Sequence, residues 1–288
     1  MEYLLKSSGI IALLYLFYYL FLRNETYFRS IRGYFLTGLL LVVTIPLIEI
    51  PIFIEQAANN ASDFAYAEIS TLNKNESSSI DWIQIIGSFY IIGFLFFLFK
   101  FLIELISLGI LITGHKRQKT AGFIFVETSK NHSPFSFFNI IVYNPKQFNK
   151  KEITQILTHE KAHALQWHSV DTLLAHLMVL ILWFNPFVWL YKKAVQQNLE
   201  YLADSFAIIH SNNKKLYQLT MLKTCSTNYY TAIANNFYNS LIKKRIVMLH
   251  KNHSKNSNQW KYVLVLPLLI AFIATFNTKV IAQEKKLT

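Results

Sequence analysis

A single cysteine, Cys225, stands in the 288 residues, which excludes an intrachain disulfide and a Cys-rich metal site. Charge is scarce as well: Asp, Glu, Lys and Arg together make up 15% of the chain, less than a soluble domain usually carries. Acids are the minority within that, 16 against 28 Lys and Arg, and the formal net charge is +12. The basic residues mostly flank hydrophobic blocks and form no face of aromatic or helical readers. Their fitting partner is the lipid bilayer with its anionic headgroups, and nucleic acid is not expected. No clear small-x-small cleavage site follows the long first apolar run, so the start does not read as an ordinary signal peptide. The apolar blocks also lack the internal repeat often seen in transporters, and their ionisable residues sit towards their ends.

What is abundant is apolar. Hydrophobic residues reach 53%, with 24 Phe and 16 Tyr, and they are clumped. The first block, Ile10–Leu22, extends back to Leu4 and with its flanks reaches the roughly 20 residues a bilayer needs. The second is Tyr34–Ile54 and the third Ile83–Ile112, in which Lys100 and Glu104 stand at i and i+4. The fourth is the short run Tyr262–Phe276, with Trp260 and Tyr262 as interface anchors. Between them the 23–32 segment is basic, the 55–81 segment acidic, and the segment after Ile112 basic again. The positive-inside rule then puts the N-terminus outside and the large polar part in the cytoplasm. The expected organisation is a membrane part over 1–112, a polar domain over 113–260, and a last span with a short outside tail over 261–288.

The polar domain opens with two strand-like runs, 121–127 (AGFIFVE) and 135–143 (FSFFNIIVY), which predict a hairpin or small sheet. An extended substrate can add to such an edge as another strand, though such strands are equally ordinary scaffold. Asn149 followed by Glu152 has the pattern of a capping box and predicts a helix running to about His168. That helix carries His159-Glu160-Lys161-Ala162-His163, an H-E-x-x-H motif. On a helix, i and i+4 lie one above the other, so two imidazoles can face one metal with a carboxylate beside them to take a proton from water. With three fixed positions, the pattern also arises by accident.

Two histidines do not complete a catalytic zinc site. Glu200 and Asp204, at i and i+4 in NLEYLAD, offer a third ligand and a hydrogen-bond acceptor for a ligand histidine, or else a solvated acidic face. The apolar stretch 172–191 (TLLAHLMVLILWFNPFVWLY) is long enough to span, but Asn185-Pro186 divides it and Lys192-Lys193 follow it. A shared metal requires both of its flanks on one side, so it reads as a buried or re-entrant hairpin at the inner face. His168, beyond the two motif histidines, falls off the ligand face and reads as a surface residue or a neighbour of the ligands. His176 reads as a core histidine. Lys243-Lys244-Arg245 lies in a basic amphipathic helix expected on the inner leaflet.

The string HEKAH, WHSVD, WFNPFVW, NLEYLAD, with the later LIKKRIVML, resembles the BlaR1/MecR1-type membrane metallopeptidases, family M56, specifically from about Ser133 to Leu249. The resemblance implies a polytopic α-helical protein of the bacterial inner membrane with an inserted cytoplasmic zincin-like α+β domain. It implies Zn2+ on His159, His163 and Glu200, Glu160 as general base, and Asp204 behind the ligands. Antibiotic-sensing members carry a large penicillin-binding domain after the fourth span, whereas Phe276 is followed here only by Asn277–Thr288. The expected function is a zinc metalloendopeptidase of a signalling system, cutting a cytoplasmic repressor, a membrane-associated protein or itself. The alternative is a non-catalytic receptor or scaffold whose zinc clips two helices together. A low-charge domain lying on a membrane can form a homodimer, and the sequence shows no interface for one. His168, His176 and Tyr201 are the candidates to stabilise a tetrahedral oxyanion.

Overall fold

The structure is a computed structural model that describes residues 2–56, 82–211, 213–226 and 232–284. The acidic segment 57–81 and most of the Tyr/Asn-rich stretch before Ala232 lie outside the described residues. Among the described residues, four helical stretches are long and apolar enough to cross a membrane: Glu2–Leu22, Phe28–Leu47, Trp82–Thr113 and Ser257–Phe276. Their regular α-helical parts are α1 (Glu2–Phe17), α2 (Phe28–Thr44), α3 (Trp82–Thr113) and, at the C-terminal end, α9 (Val265–Phe276). The chain is thus a multi-pass membrane protein, and a mixed α/β region lies between its third and fourth spans.

The second span ends earlier than its hydropathy suggests. Pro46 and Pro51 cut the helix off at a 3-10 turn over Ile45–Leu47, and residues Ile50–Gln56 become strand β1. Far along the chain, Thr278–Glu284 forms β6, which pairs with β1 in parallel from Ile50↔Thr278 to Gln56↔Glu284. The tail after the fourth span is therefore strand over this stretch. Asn277 ties the two spans at this end, donating to the carbonyls of Ile45 and Ile48.

At the opposite end of the spans, the short connection after α1 meets the linker before α9. Thr26 bonds Ser254, Tyr27 bonds the Lys255 carbonyl, and Glu25 pairs with Lys261 at 2.5 Å. Arg29 and Arg32 lie within the first turns of α2. Arg32 is an internal clamp: it grips Asp171 with two hydrogen bonds, 2.6 and 2.9 Å, and donates to the Gln166 carbonyl at 2.7 Å.

The α/β region carries a four-stranded sheet of β2 (Arg117–Thr120), β3 (Phe123–Glu127), β4 (Phe135–Phe137) and β5 (Ile140–Tyr143), ordered β2-β3-β5-β4. The turn from β2 to β3 is two residues, Ala121 and Gly122, both at positive φ (50° and 83°) as a primed hairpin turn requires. The second strand-like run is itself a hairpin, folded at Phe138, which also has positive φ. The two runs join as a small sheet, with β5 parallel to β3 and β4 at the edge.

Helix α4 (Lys150–Leu165) starts on the expected capping box: the Glu152 amide donates to the Asn149 side chain at 2.9 Å, and the Asn149 amide to Glu152 at 2.8 Å. It stops before His168. Trp167 takes a left-handed conformation (φ 58°), and α5 (His168–Ile181) leaves at 64° to α4. After Leu182–Asn185, α6 (Pro186–Ile209) returns as one unbroken helix, its first turn capped by the Asn185 side chain accepting from the Phe187 amide. Pro at the first helical position suits the start, since its missing N–H has no intrahelical role there.

The tip of this α5–α6 hairpin reaches towards the β1–β6 end of the spans. Asn185 bonds Ser8 of α1, and the Trp183 indole donates to the Tyr90 carbonyl of α3. The stretch 172–191 therefore forms a hairpin whose tip contacts α1 and α3. The first half of α6 lies in the main hydrophobic cluster with Ile10, Leu14, Phe35 and Val42, where the Tyr191 hydroxyl donates to the Phe35 carbonyl at 2.8 Å. Two further helices, α7 (Lys214–Ser226) and α8 (Ala232–His250), pack against the far half of α6.

Candidate metal centre

Helices α4 and α6 cross where the motif helix meets the far half of α6. The i, i+4 spacing stacks His159 and His163 with their Nε2 atoms 3.2 Å apart. Glu200 faces both, its carboxylate oxygens 3.4 Å from His159 Nε2 and 3.6 Å from His163 Nε2. Among the described residues these three form the one group of His, Cys, Asp or Glu side chains close enough to share a metal ion, with ligand atoms within 4.8 Å of one another. A tetrahedral zinc ion with ligands at about 2.0–2.1 Å holds them roughly 3.3–3.4 Å apart. The observed spacing fits that ion.

The remaining ring nitrogens support the fit, because both are engaged elsewhere. His159 Nδ1 is 2.9 Å from the Tyr217 hydroxyl, which donates to Asp204 Oδ1 at 2.5 Å. Asp204 itself is 3.4 Å from the same nitrogen, so the tyrosine hydroxyl carries the shorter link between them. His163 Nδ1 is 2.8 Å from His168 Nδ1, and His168 Nε2 is 3.3 Å from the Gln166 amide oxygen. If Gln166 takes the proton on His168 Nε2, then His168 Nδ1 accepts from His163. These partners leave the two Nε2 lone pairs pointing at the shared position, the usual way in which an outer partner sets a ligand tautomer. Burial, with His163 and Arg32 nearby, pushes the His168 imidazole down to about 3, so it stays neutral and able to accept.

Arg245 completes the charge balance. It reaches Asp204 through Nε at 2.8 Å and Nη2 at 2.5 Å, and Glu200 through Nη1 at 2.8 Å. Burial opposes ionisation of Glu200, but Arg245 and the His159 hydrogen bond outweigh it and hold the carboxyl well below the usual range. Burial likewise opposes a charge on His159, and the Glu200 hydrogen bond with the Glu200 and Asp204 charges reverses the balance upward. Two carboxylates against one guanidinium leave the cluster one negative charge in excess, which suits a cation. Glu160, buried on α4 next to His159, is positioned by the helix itself.

The sequence reading missed Tyr217 and Arg245. Arg245, expected on the lipid surface with Lys243 and Lys244, turns inward instead. One signal was available: Ile242, Arg245, Ile246 and Leu249 fall at i, i+3, i+4 and i+7, so the arginine sits on the apolar stripe of its helix. On a helix that continued past Leu165, His168 would lie off the ligand face. The break at Trp167 swings it back onto His163 and buries it at 2% exposure. Of the three oxyanion candidates, Tyr201 packs on Phe28, His168 is taken up by His163, and His176 faces a cavity with its ring stacked on Phe101. That cavity, about 220 Å³, runs from His163 and His168 to α3.

Residues 136–249 match the family model described as BlaR1 peptidase M56. Over 172 residues the chain is 27% identical to the Regulatory protein BlaR1 of Bacillus licheniformis, covering 54% of this chain and 28% of that protein. Over 174 residues it is 22% identical to the Regulatory protein BlaR1 of Staphylococcus aureus, covering 57% and 29%. The aligned stretch thus spans less than a third of either relative. The match falls on the segment that builds the site, and at the level of the family the chain is matched to the BlaR1/MecR1-type M56 peptidases.

Proposed function

We propose that this protein is a membrane-embedded zinc endopeptidase of a regulatory system, cutting a cytoplasmic or membrane-associated protein or itself. The observation that carries the reading is the convergence of His159 Nε2, His163 Nε2 and the Glu200 carboxylate at zinc-like spacing, with Glu160 adjacent. The word "regulatory" in the names of both relatives supports the setting.

In this reading His159, His163 and Glu200 hold the zinc, and the three ligands leave a fourth position open. A bound zinc ion supplies an acidified water and a polarised scissile carbonyl. Glu160 takes the proton of the attacking water and passes it to the leaving amine. Tyr217, Asp204 and His168 hold the tautomers of the two histidines, and Arg245 keeps the Glu200 and Asp204 carboxylates apart and compensated. The membrane part is 1–112, the peptidase domain 113–260 with its re-entrant hairpin at 172–191, and the last span with its tail 261–288. The N-terminus and the β1–β6 ribbon face outside and the peptidase domain faces the cytoplasm. The basic Arg23–Arg32 and Lys251–Lys261 stretches lie at the peptidase end of the spans, which supports that orientation.

One observation favours the scaffold alternative. Arg245 already pairs with Glu200, so α4, α6 and α8 are tied together at this point by side chains alone. Zinc content and cleavage in proteoliposomes separate the two, comparing wild type with Glu160→Gln and Glu200→Ala. The peptidase reading expects about one zinc per chain in wild type and in Glu160→Gln, sharp zinc loss in Glu200→Ala, and at least a roughly hundredfold fall in cleavage in Glu160→Gln. Zinc retention with no difference in cleavage between wild type and Glu160→Gln overturns it in favour of the scaffold.

A further inference from the structure

The cavity beside the metal ligands is closed on one side by a membrane span. Its walls are Phe101, Leu105 and Leu108 of α3, Phe137 of the edge strand β4, and His163 and His176. A cavity of about 150 Å³ in a protein core already accepts a benzene ring, so 220 Å³ of largely apolar wall admits one aromatic or large aliphatic side chain.

The depth of this cavity follows from the length of α3. At 1.5 Å per residue, Phe101 lies roughly 28 Å along the helix from Trp82 and Leu108 roughly 39 Å, while the hydrocarbon core of a bilayer is about 30 Å thick. With Trp82 at one interface, Phe101 sits at the other and Leu108 in the headgroup layer. The polar residues in the neighbourhood agree: Glu104 lines the cavity and Lys192 of α6 lies near it. At the same level stands β4, an edge strand with one ladder partner among the described strands, and Ser136 and Phe137 of β4 border the cavity. An extended chain can lengthen the sheet at such an edge. A chain that does so here lies at the level of the cavity, beside span α3 and the metal ligands.

From this placement we infer the substrate class. The site takes an extended segment lying at the membrane surface, within a few residues of a membrane anchor, with an apolar side chain seated in the α3-walled cavity beside the cut. A free soluble protein is a poor substrate because it must bring its cleavage segment down to the headgroup level. The inference rests on the peptidase reading for the cut itself, but the docking can be measured without it.

The test uses the full chain, zinc-loaded, in proteoliposomes. The probes are two single-span reporter chains carrying the same randomised segment. In one the segment starts about five residues from the membrane, a reach of roughly 17 Å. In the other it lies beyond a flexible spacer of about thirty residues. Docking is read separately with Glu160→Gln protein bearing a photo-crosslinking phenylalanine analogue in place of Leu105. The expected result is cutting of the near segment at least about tenfold faster than the far one, with an apolar residue at the cut, and crosslinking to the near reporter alone. Leu105→Trp, which fills the cavity, then lowers cutting about tenfold with zinc unchanged, and Leu105→Ala shifts the preferred residue towards larger rings. Equal cutting of near and far segments, indifferent to both Leu105 variants, overturns the inference and leaves the peptidase reading standing. Crosslinking to the near reporter without cutting by wild type upholds the docking and overturns the peptidase reading. Neither cutting nor crosslinking overturns both.

Discussion

Spans α1 and α2 and span α3 are all apolar, yet they stand in the protein differently. In the first two spans, 33% and 44% of the most apolar window is buried against other helices, and in the third 6%. The reason is α6. Its first half lies against α1 and α2, and its second half carries Glu200 and Asp204. The packed spans are thus the foundation of the metal centre, since displacing them displaces the third ligand. Helix α3 touches chiefly the α5–α6 hairpin, through ring contacts of Trp183 with Phe89 and Phe97, and leaves most of its surface to lipid. Near the site it supplies a cavity wall, and its far end packs Leu108, Leu111 and Ile112 on the sheet. A span can therefore hold a site up or merely border it, and the sequence of the span does not say which.

The largest expected effect breaks the foundation at its polar clamp. Asp171 is nearly fully buried and its partner Arg32 comes from α2. Arg32→Ala leaves that carboxylate without its partner and frees the Gln166 carbonyl beside His168. The expected loss is about 3–5 kcal/mol, the usual cost of breaking a buried pair on one side. Thermal unfolding in detergent, with zinc content on the same samples, checks it. Unfolding unchanged within error shows that α2 does not support the site.

A matched pair of glycines sharpens the comparison at lower cost. A Cβ at Gly38 of α2 runs into the Tyr191 hydroxyl and meets Leu14, whereas one at Gly87 of α3 meets nothing within 4 Å. Gly38→Ala is expected to destabilise by about 1–3 kcal/mol, the range for overpacking, and Gly87→Ala to stay within about 0.5 kcal/mol. Equal effects of the two substitutions remove the distinction between the spans.

How much of this was legible depended on how local each feature is. The H-E-x-x-H pair and the capping box before it are set by spacing within one helix, and both stand where the spacing put them. Glu200 stood out through its i, i+4 spacing with Asp204 only as one of two readings, and the resemblance decided between them, because no local rule ties α6 to α4. Tyr217 and Arg245 come from two further helices, and their roles exist only once four helices meet. The break at Trp167 was hidden because a left-handed tryptophan has no local signature, and with it went the position of His168. Hydropathy gave the number of spans but overran the end of the second, where two prolines and a distant partner strand decide the structure.

The smallest effect is expected at the start of the motif helix, and it carries a pH dependence. Lys223 of α7 pairs with Glu152 at 2.8 Å, and together with the Asn149 amide it holds the carboxyl below its ordinary value. A carboxylate depressed in the folded protein contributes stability that is present above its unfolded pKa and is lost as pH falls through the folded one. Glu152→Gln keeps an acceptor for the Asn149 amide but removes the charge, so its cost is expected at neutral pH and should shrink as pH falls below the ordinary carboxylate range, about 4. Asn149→Ala removes the other half of the box, costing about 1 kcal/mol, with little of that pH dependence of its own. Unfolding measured on the two variants between neutral and acid pH distinguishes them. If the cost of Glu152→Gln stays level across that window, the ion pair to Lys223 contributes nothing, and α7 is held to α4 by the packing around Tyr217 instead.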